Sequence, residues 1–171
     1  NDATVFSTID LTSAYHQIEL DPNSRHYTAF ITPEGAYQYK RMPFGLASAS
    51  SVFQRVMSGV VCGIPGARVF QDDILVFGRD KSEHDDRLNL VLSRLQENGL
   101  TIREDKCKFG QLQVEYLGHL ISNKGIQPKR SHVEAVCNAP RPSTKEQLMS
   151  FLGLTVFYAR FISQYATKVE K

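Results

Sequence analysis

The segment "VFQDDILVF", residues 69–77, sets two adjacent carboxylates inside an apolar run, and this constrains the fold more than any other feature. Val69, Phe70 and the residues after the acids are β-branched, aromatic or aliphatic, which is typical of a buried strand. Successive side chains of a strand point to opposite faces, so Asp72 and Asp73 can serve one site only at a chain reversal. We therefore predict a tight hairpin that carries both acids at its tip.

Two adjacent carboxylates at a hairpin tip of this kind indicate a candidate cation site. Burial and like-charge repulsion both raise a carboxyl pKa and disfavour ionisation, and a bound divalent ion reverses this preference. Asp10 ends another predicted strand, "TVFSTIDL" at 4–11. If the two strands are neighbours, Asp10, Asp72 and Asp73 meet at one sheet edge and can hold two metal ions for phosphoryl transfer. The alternative is an ordinary turn, in which Asp is a favoured residue.

The remaining pattern predicts both helices and strands. Apolar residues recur at a helical period in two long segments, and alternating or β-branched runs separate them. The predicted elements are a hairpin at 26–42, helices at 46–61 and 82–99, strands at 100–104 and 114–122, and helices at 131–140 and 143–162. This order predicts an α+β fold with helices on one face of an antiparallel sheet, as in the ferredoxin-like arrangement.

Length and charge favour one ordinary domain with a basic appendage. The chain has 171 residues, of which 42% are hydrophobic, and no apolar stretch is long enough to span a membrane. Residues 1–123 carry 12 Lys and Arg against 15 Asp and Glu, whereas residues 124–171 carry 8 against 3. The basic part suits an anionic partner such as nucleic acid, although a solvated surface is the alternative. The three cysteines lack metal-site spacing and indicate reduced thiols.

Several motifs occur in an order that resembles the reverse transcriptase of gypsy-type LTR retrotransposon Pol polyproteins. The resemblance implies a polymerase palm at 1–125 and part of a helical thumb at 126–171, with the fingers and RNase H outside the sequence. It rests on "FSTIDLTSAYHQIEL", "YTAFITPEGAYQYKRMPFGLASASSVFQRVM", "VFQDDILVF", "GLTIREDKCKFGQLQVEYLGHLIS" and "PSTKEQLMSFLGLTVFYARFI".

The resemblance implies an RNA-directed DNA polymerase, in which a primer 3′-hydroxyl attacks the α-phosphorus of a dNTP. Asp10 and Asp72 match the direct ligands of two Mg²⁺ ions, for which Mn²⁺ can substitute. The Leu11 carbonyl assists them, and Asp73 is more peripheral. Lys106 lies near the family's motif lysine, a candidate proton donor to the leaving pyrophosphate, and the alternative for it is a solvated surface charge.

The nucleotide and the primer–template are also assigned by resemblance. The amides of Ser13 and Ala14 meet the triphosphate, Tyr15 excludes a ribose 2′-hydroxyl, and Phe44 and Gly45 pack near the incoming nucleotide. Phe70 stands where the family usually has Tyr, and Leu117 with Gly118 matches the primer grip. The implied primer–template contacts are Phe70, Gln71, Leu117, Gly118, Gly153 and Phe157.

The implied partners are RNA/DNA and DNA/DNA primer–templates, dNTP and the rest of the Pol polyprotein, with no membrane. Reverse transcription in such elements takes place inside the cell, in cytoplasmic particles or the nucleus. Two other interpretations stay open. One is a relic of a polymerase that binds nucleic acid or protein without chemistry. The other is an unrelated two-metal nuclease, which would lack the "YLGH" primer grip.

Overall fold

The computed structural model describes residues 2–170, which form nine strands and five α-helices. The strands are β1 (Val5–Asp10), β2 (Phe30–Thr32), β3 (Gly35–Tyr37), β4 (Ala67–Phe70), β5 (Asp73–Gly78), β6 (Lys108–Gln111), β7 (Gln113–Tyr116), β8 (His119–Ser122) and β9 (Gly125–Pro128). The helices are α1 (Ala49–Val60), α2 (Lys81–Glu97), α3 (Arg130–Cys137), α4 (Lys145–Val156) and α5 (Tyr165–Val169). The prediction of an α+β fold with antiparallel strands is confirmed.

The central sheet has four strands in the order β4-β5-β1-β6. Its neighbouring strands are antiparallel, and β1 pairs with β5 along its whole length, from Val5 opposite Gly78 to Asp10 opposite Asp73. The hairpin β2-β3 and the sheet β7-β8-β9 are separate from it. The two predicted acid-bearing strands are thus direct neighbours in one sheet.

Both long helices cover the same face of the central sheet. Alternate residues of β1 and β5 point to this face, because strand side chains alternate with a period of two. The apolar stripes of α1 and α2 meet them in one buried core. Its largest members are Ile9, Phe53, Met57, Ile74, Val76, Val91 and Leu95.

A buried polar contact fastens α2 to the sheet within this core. Ser7 and His84 are both fully buried, and Ser7 Oγ lies 2.8 Å from His84 Nε2. Asp85 Oδ1 lies 2.9 Å from His84 Nδ1, and the Gly110 amide donates to Ser7 Oγ at 3.0 Å. The polar atoms of this cluster are therefore satisfied, as burial requires.

The opposite face of the central sheet packs on the three-stranded sheet. Phe6 of β1 and Leu75 of β5 form a second core with Val114 of β7. Because Asp10 follows Phe6 and Thr8 on the same side of β1, this face leads to the acids at the end of the strand. The sequence did not predict a sheet on this face.

Several boundaries differ from the sequence-based predictions. The strand predicted at 100–104 is wrong: only an isolated bridge joins Ile102 to Leu11, and a 3₁₀ turn follows at Glu104–Lys106. The segment 114–122, predicted as a hairpin-like strand, forms the two antiparallel strands β7 and β8, which reverse at Leu117 and Gly118. Strands β6 and β9 were not predicted. Strand β9 extends the three-stranded sheet beyond residue 122, where the last predicted strand ends. Within residues 2–170, no helix is both long and apolar enough to cross a membrane.

Candidate active site

The two acids lie at the tip of the β4–β5 hairpin. β4 ends at Phe70 and β5 begins at Asp73, so Gln71 and Asp72 form the turn. Gln71 has a left-handed backbone with φ of 54°, which an L-residue adopts only with support from its surroundings. Asp10 pairs with Asp73 across the strands. Residues directly opposite in this way have Cβ atoms about 5 Å apart and share one face of the sheet.

The acids repel one another in this arrangement. The pKa of Asp73 is raised, first by partial burial and then by the negative charges of Asp72 and Asp10. Within the part of the chain that the structure describes, no three His, Cys, Asp or Glu side chains converge closely enough to hold a metal ion as they stand. Like charges at one sheet edge favour such separation.

The hydrogen bonds on either side of Leu11 leave its own carbonyl directed away from Ile102. Leu11 faces Ile102 in an isolated antiparallel bridge, flanked by two hydrogen bonds: the Arg103 amide donates to the Asp10 carbonyl, and the Thr12 amide to the Thr101 carbonyl. In such a pair the amide and carbonyl of Leu11 itself point away from Ile102. The other neighbour of β1 is β5, so this carbonyl is directed to the side of Asp72.

The donor set suits a divalent cation such as Mg²⁺. It consists of three carboxylates and one peptide carbonyl, which are the oxygen ligands that hard cations bind. The raised pKa of Asp73 supports the fit, because a cation would offset the repulsion that Asp72 and Asp10 exert. The chemistry of these residues therefore fits metal binding, and a bound ion would draw the carboxylates inward.

A cavity of about 460 Å³, here called the Tyr15 cavity, opens on one side of Asp10. Its lining comprises Asp10, Leu11, Ser13, Ala14, Tyr15, Phe44, Asp72, Arg103 and Lys106. All except Arg103 were singled out from the sequence as metal or nucleotide residues or as the proton donor. Arg103 adds a second cation, and no pattern in the sequence marked it.

The loop after β1 shapes the floor of the Tyr15 cavity. Ser13 has φ of 47° and precedes a 3₁₀ turn at Ala14–Gln17, so the chain bends sharply after the acid. Ala14 is buried and Tyr15 is half-buried. The Phe44 ring is 69% exposed and its centroid lies 5.5 Å from that of Tyr15. Gly45, with φ of 88°, forms the turn after Phe44 and does not line the cavity.

A second cavity of about 330 Å³, here called the Leu117 cavity, opens on the other side of Asp10. It brings the predicted primer grip, Leu117 and Gly118, next to Asp73. Its lining comprises Thr8, Ile9, Asp10, Asp73, Lys106, Lys108, Glu115, Tyr116, Leu117, Gly118, Lys129 and His132. Asp10 and Lys106 belong to both cavities, whereas Asp72 and Asp73 each line one.

The β7–β8 turn is tied to the acid hairpin and to the region after β9. The Tyr116 hydroxyl donates to the Asp73 carbonyl at 3.3 Å, and burial together with the Asp73 charge raises the pKa of Tyr116 to about 12. Leu117, with φ of 49°, and Gly118, with φ of 76°, make the turn. A Cβ on Gly118 would lie 3.7 Å from the Phe157 ring, so the turn packs closely against that ring.

The two predicted thumb residues occupy different surroundings. The Phe157 ring stacks on His119 with centroids 5.1 Å apart and an angle of 6° between the planes. Phe157 is thus close to the β7–β8 turn, although half of its side chain is exposed. Gly153 lies on an exposed face of α4, where a Cβ would meet nothing within 4 Å among the described residues. The structure does not bring Gly153 to the other predicted residues.

Left-handed backbone conformations concentrate at these positions. Within residues 2–170, four non-glycine residues have positive φ, namely Ser13, Gln71, Leu117 and Gln164. Three of the four were identified from the sequence as site residues. Strained backbone that the surrounding structure maintains is common at functional sites.

Sequence reasoning missed Gln54, which supports the acid turn from α1. Its Oε1 accepts from the Gln71 amide at 2.7 Å, and its Nε2 donates to the Val69 carbonyl at 3.2 Å. One side chain therefore holds the β4 side of the turn at two points. Gln54 is one of several polar residues of α1 beside its apolar stripe, and no sequence signal distinguishes it from the others.

Comparisons with known proteins identify the family of this chain. The family model of reverse transcriptase (RNA-dependent DNA polymerase) matches residues 1–121. The retrovirus-related Pol polyprotein from transposon 297 of Drosophila melanogaster is 39% identical over 163 residues, which are 94% of this chain and 15% of that protein. The Pol polyprotein from transposon gypsy of the same species is 36% identical over 166 residues, 96% of this chain and 16% of that protein. This chain thus spans about a sixth of these relatives.

A solved structure shares the fold over nearly the whole chain. The foamy viral protease–reverse transcriptase in complex with double-stranded DNA superposes with a TM-score of 0.90 at 26% identity, covering 98% of this chain and 30% of that one. The predicted resemblance to retrotransposon Pol polyproteins is confirmed. The chain belongs to the reverse transcriptase family of RNA-dependent DNA polymerases.

Proposed function

We propose that this chain forms the catalytic part of an RNA-directed DNA polymerase, which transfers nucleotides from dNTP to a primer 3′-hydroxyl. One observation carries the proposal: Asp10 lies between two cavities, with Asp72 in the Tyr15 cavity and Asp73 in the Leu117 cavity. A polymerase must bring a nucleotide and a primer end to the same acids from two sides. The Tyr15 cavity suits the nucleotide and the Leu117 cavity suits the primer end.

Asp10 and Asp72, with the Leu11 carbonyl, would hold two Mg²⁺ ions, and Asp73 would assist from the second cavity. When bound, the ions lower the pKa of the attacking hydroxyl and neutralise charge on the leaving pyrophosphate. The remaining contribution of the protein is to position the two reactants, which accounts for several kcal/mol in well-oriented reactions.

The cations of the Tyr15 cavity suit the triphosphate. Lys106 and Arg103 both line this cavity, and the amides of Ser13 and Ala14 follow the acid-bearing strand. Lys106 has no carboxylate within 4.0 Å among residues 2–170, so its ammonium is free to donate a proton to the pyrophosphate oxygen. A positioned general acid of this kind typically contributes about 10²–10⁴-fold to a rate.

The proposed partners are primer–template nucleic acid, dNTP and the remainder of a Pol polyprotein. Lys108 and His132 line the Leu117 cavity, where a primer phosphate would lie, whereas Lys129 of the same lining pairs with Glu115 at 2.7 Å. The basic excess of residues 124–171 adds further positive charge near this cavity. The structural relative was solved with double-stranded DNA, which supports the same partner here. We place the reaction inside the cell, in cytoplasmic particles or the nucleus, on the analogy of the Pol relatives alone.

Primer extension tests this proposal directly. The chain is assayed alone and as a chimera in which it replaces the matching segment of the transposon 297 Pol polyprotein. We expect Mg²⁺-dependent extension of a DNA primer on an RNA template by the chimera, and loss of extension by at least about a thousandfold in Asp72→Asn, because one metal ligand becomes neutral. Asp86→Asn, an exposed site on α2, is the matched control and should retain activity.

Two results would contradict the proposal. Wild-type extension by Asp72→Asn would refute the assignment of the acids. No extension by either protein, with Mg²⁺ or Mn²⁺, together with retained binding of primer–template, would favour the alternative of a non-catalytic nucleic-acid-binding relic.

A further inference from the structure

The Tyr15 hydroxyl is held by two polar side chains from other elements. It donates to Gln71 Oε1 at 3.1 Å, and it lies 2.8 Å from Ser50 Oγ on α1. Since a phenol has one proton, the Ser50 hydroxyl donates in turn to the Tyr15 oxygen. The tip of the ring is therefore tied both to α1 and to the acid turn.

The orientation of the Gln71 amide is fixed by a group that can only accept. Gln71 Nε2 donates to the Ser50 backbone carbonyl at 3.3 Å. Rotating the amide by 180° would place two oxygens against each other, so Oε1 faces Tyr15 and Nε2 faces Ser50. The acceptor that the Tyr15 hydroxyl meets is thus set by the local network.

Gln71 is itself held in place. Its backbone amide donates to Gln54 Oε1 at 2.7 Å, which stabilises its left-handed conformation between Val69 and Asp72. The backbone position from which its side chain extends is therefore fixed in the acid turn. It extends toward α1 and Tyr15, since both of its polar atoms contact partners there.

The aromatic neighbours of Tyr15 do not provide the same constraint. The centroids of Phe53 and Phe44 lie 5.1 Å and 5.5 Å from that of Tyr15, in edge and tilted contacts. Such contacts are apolar and not directed at the hydroxyl, so they limit the tilt of the ring less sharply than a hydrogen bond at its end. The position of that end depends on the hydrogen bonds of Gln71 and Ser50.

We infer that Gln71 is a positioning residue for Tyr15 and thereby contributes to the discrimination between deoxyribose and ribose. The inference rests on the proposed function and on the role that the family resemblance gives to Tyr15, the exclusion of a ribose 2′-hydroxyl. It gives Gln71 a role on the nucleotide side, distinct from the primer–template contact that its place in the hairpin suggests.

A double-mutant cycle on the chimera tests the inference. Gln71→Met removes the acceptor with little change in side-chain volume, and Tyr15→Phe removes the hydroxyl with the ring kept. We expect each variant to lower the ratio of kcat/KM for dNTP over rNTP by about two- to tenfold, the range that one lost hydrogen bond produces. Because both changes remove the same bond, the double variant should lose no more than either single variant. Tyr15→Ala removes the whole aromatic side chain and gives the ratio expected when ribose is no longer excluded.

Two further measurements separate positioning from other effects. Gln96→Met, at an exposed position on α2, is the control for the substitution itself and should leave the ratio unchanged. The affinity for primer–template should be the same in Gln71→Met and the wild type. Unchanged sugar discrimination in Gln71→Met, multiplicative effects in the double variant, or a loss of primer–template affinity alone would overturn the inference while the wild type still extends primers. A wild type that extends no primer would overturn the proposed function and the inference with it.

Discussion

Replacing Asp73 with asparagine is expected to raise the thermal stability of the metal-free chain. The pKa of Asp73 is raised by burial and by the charges of Asp72 and Asp10, so its ionised form destabilises the folded state. Two unit charges about 5 Å apart repel by about 1–3 kcal/mol at dielectric constants between that of water and that of a protein surface. Although the Asp73 carboxyl is partly buried, the residue as a whole is exposed to solvent, so screening reduces this repulsion to about 0.5–1 kcal/mol. For a chain of this size, the melting temperature Tm should rise by about 1–4 °C.

The pH dependence of this difference has a definite sign. A carboxyl whose pKa is higher in the folded state than its ordinary 3.8 binds its proton more tightly when folded. The stability that this proton contributes is complete below about pH 4 and is lost as the pH rises through the folded-state pKa. The asparagine side chain of the variant does not titrate, so the Tm of Asp73→Asn should separate from that of the wild type as the pH rises across this window.

Circular dichroism melting in EDTA, from about pH 3.5 to pH 7.5, measures the Tm difference between Asp73→Asn and the wild type below and above the titration of the Asp73 carboxyl. Raising the salt concentration should reduce the Tm difference between the variant and the wild type, because salt screens exposed charges. Adding Mg²⁺ should raise the Tm of the wild type more than that of the variant, because ligand binding stabilises the state that binds it. Asp86→Asn, exposed on α2, should change stability by less than about 0.5 kcal/mol. A lower Tm for Asp73→Asn, or an equal gain in the control, would refute the reasoning.

Three further substitutions have expected outcomes. Ser7→Ala leaves the buried His84 Nε2 and the Gly110 amide without their partner, so urea denaturation should show the free energy of unfolding falling by about 1–3 kcal/mol. Gly78→Ala should cost about 1–3 kcal/mol in the same assay, because its Cβ would lie 2.5 Å from the His84 backbone nitrogen. Gly153→Ala should instead stabilise α4 by about 1 kcal/mol, because its Cβ meets nothing within 4 Å among the described residues. If Gly153 approaches the duplex as predicted, fluorescence anisotropy should show weaker primer–template binding by this stable variant; unchanged affinity would contradict that role.

The acid hairpin and the two long helices could be predicted because their signals are local. Two acids between apolar strand segments are accommodated most readily at the tip of a hairpin. The apolar stripes of α1 and α2 repeat over several helical turns. Placing the two acid-bearing strands side by side brought Asp10 to the edge that carries Asp72, but the register that sets Asp10 opposite Asp73 was not predicted. The order of the motifs then added the sugar and primer residues through resemblance.

The remaining elements could not be predicted because tertiary contacts create them. Strand β6 reads "KFGQ" and pairs with β1 through an irregular register, and β9 reads "GIQP" at the edge of its sheet. Neither segment alternates clearly between apolar and polar residues. Gln54 and Arg103 are single polar residues whose importance depends on which turn or cavity they reach. Their roles appear only after the chain has folded.

The position of Asp10 in the wall between the two cavities has a consequence for inhibition. A small molecule that fills either cavity would contact this carboxylate. Under the proposed function, escape variants that alter Asp10 would damage nucleotide and primer handling together, whereas changes at Tyr15 or Leu117 would affect only one cavity. Compounds anchored on Asp10 should therefore select for resistance less readily than those anchored on either rim.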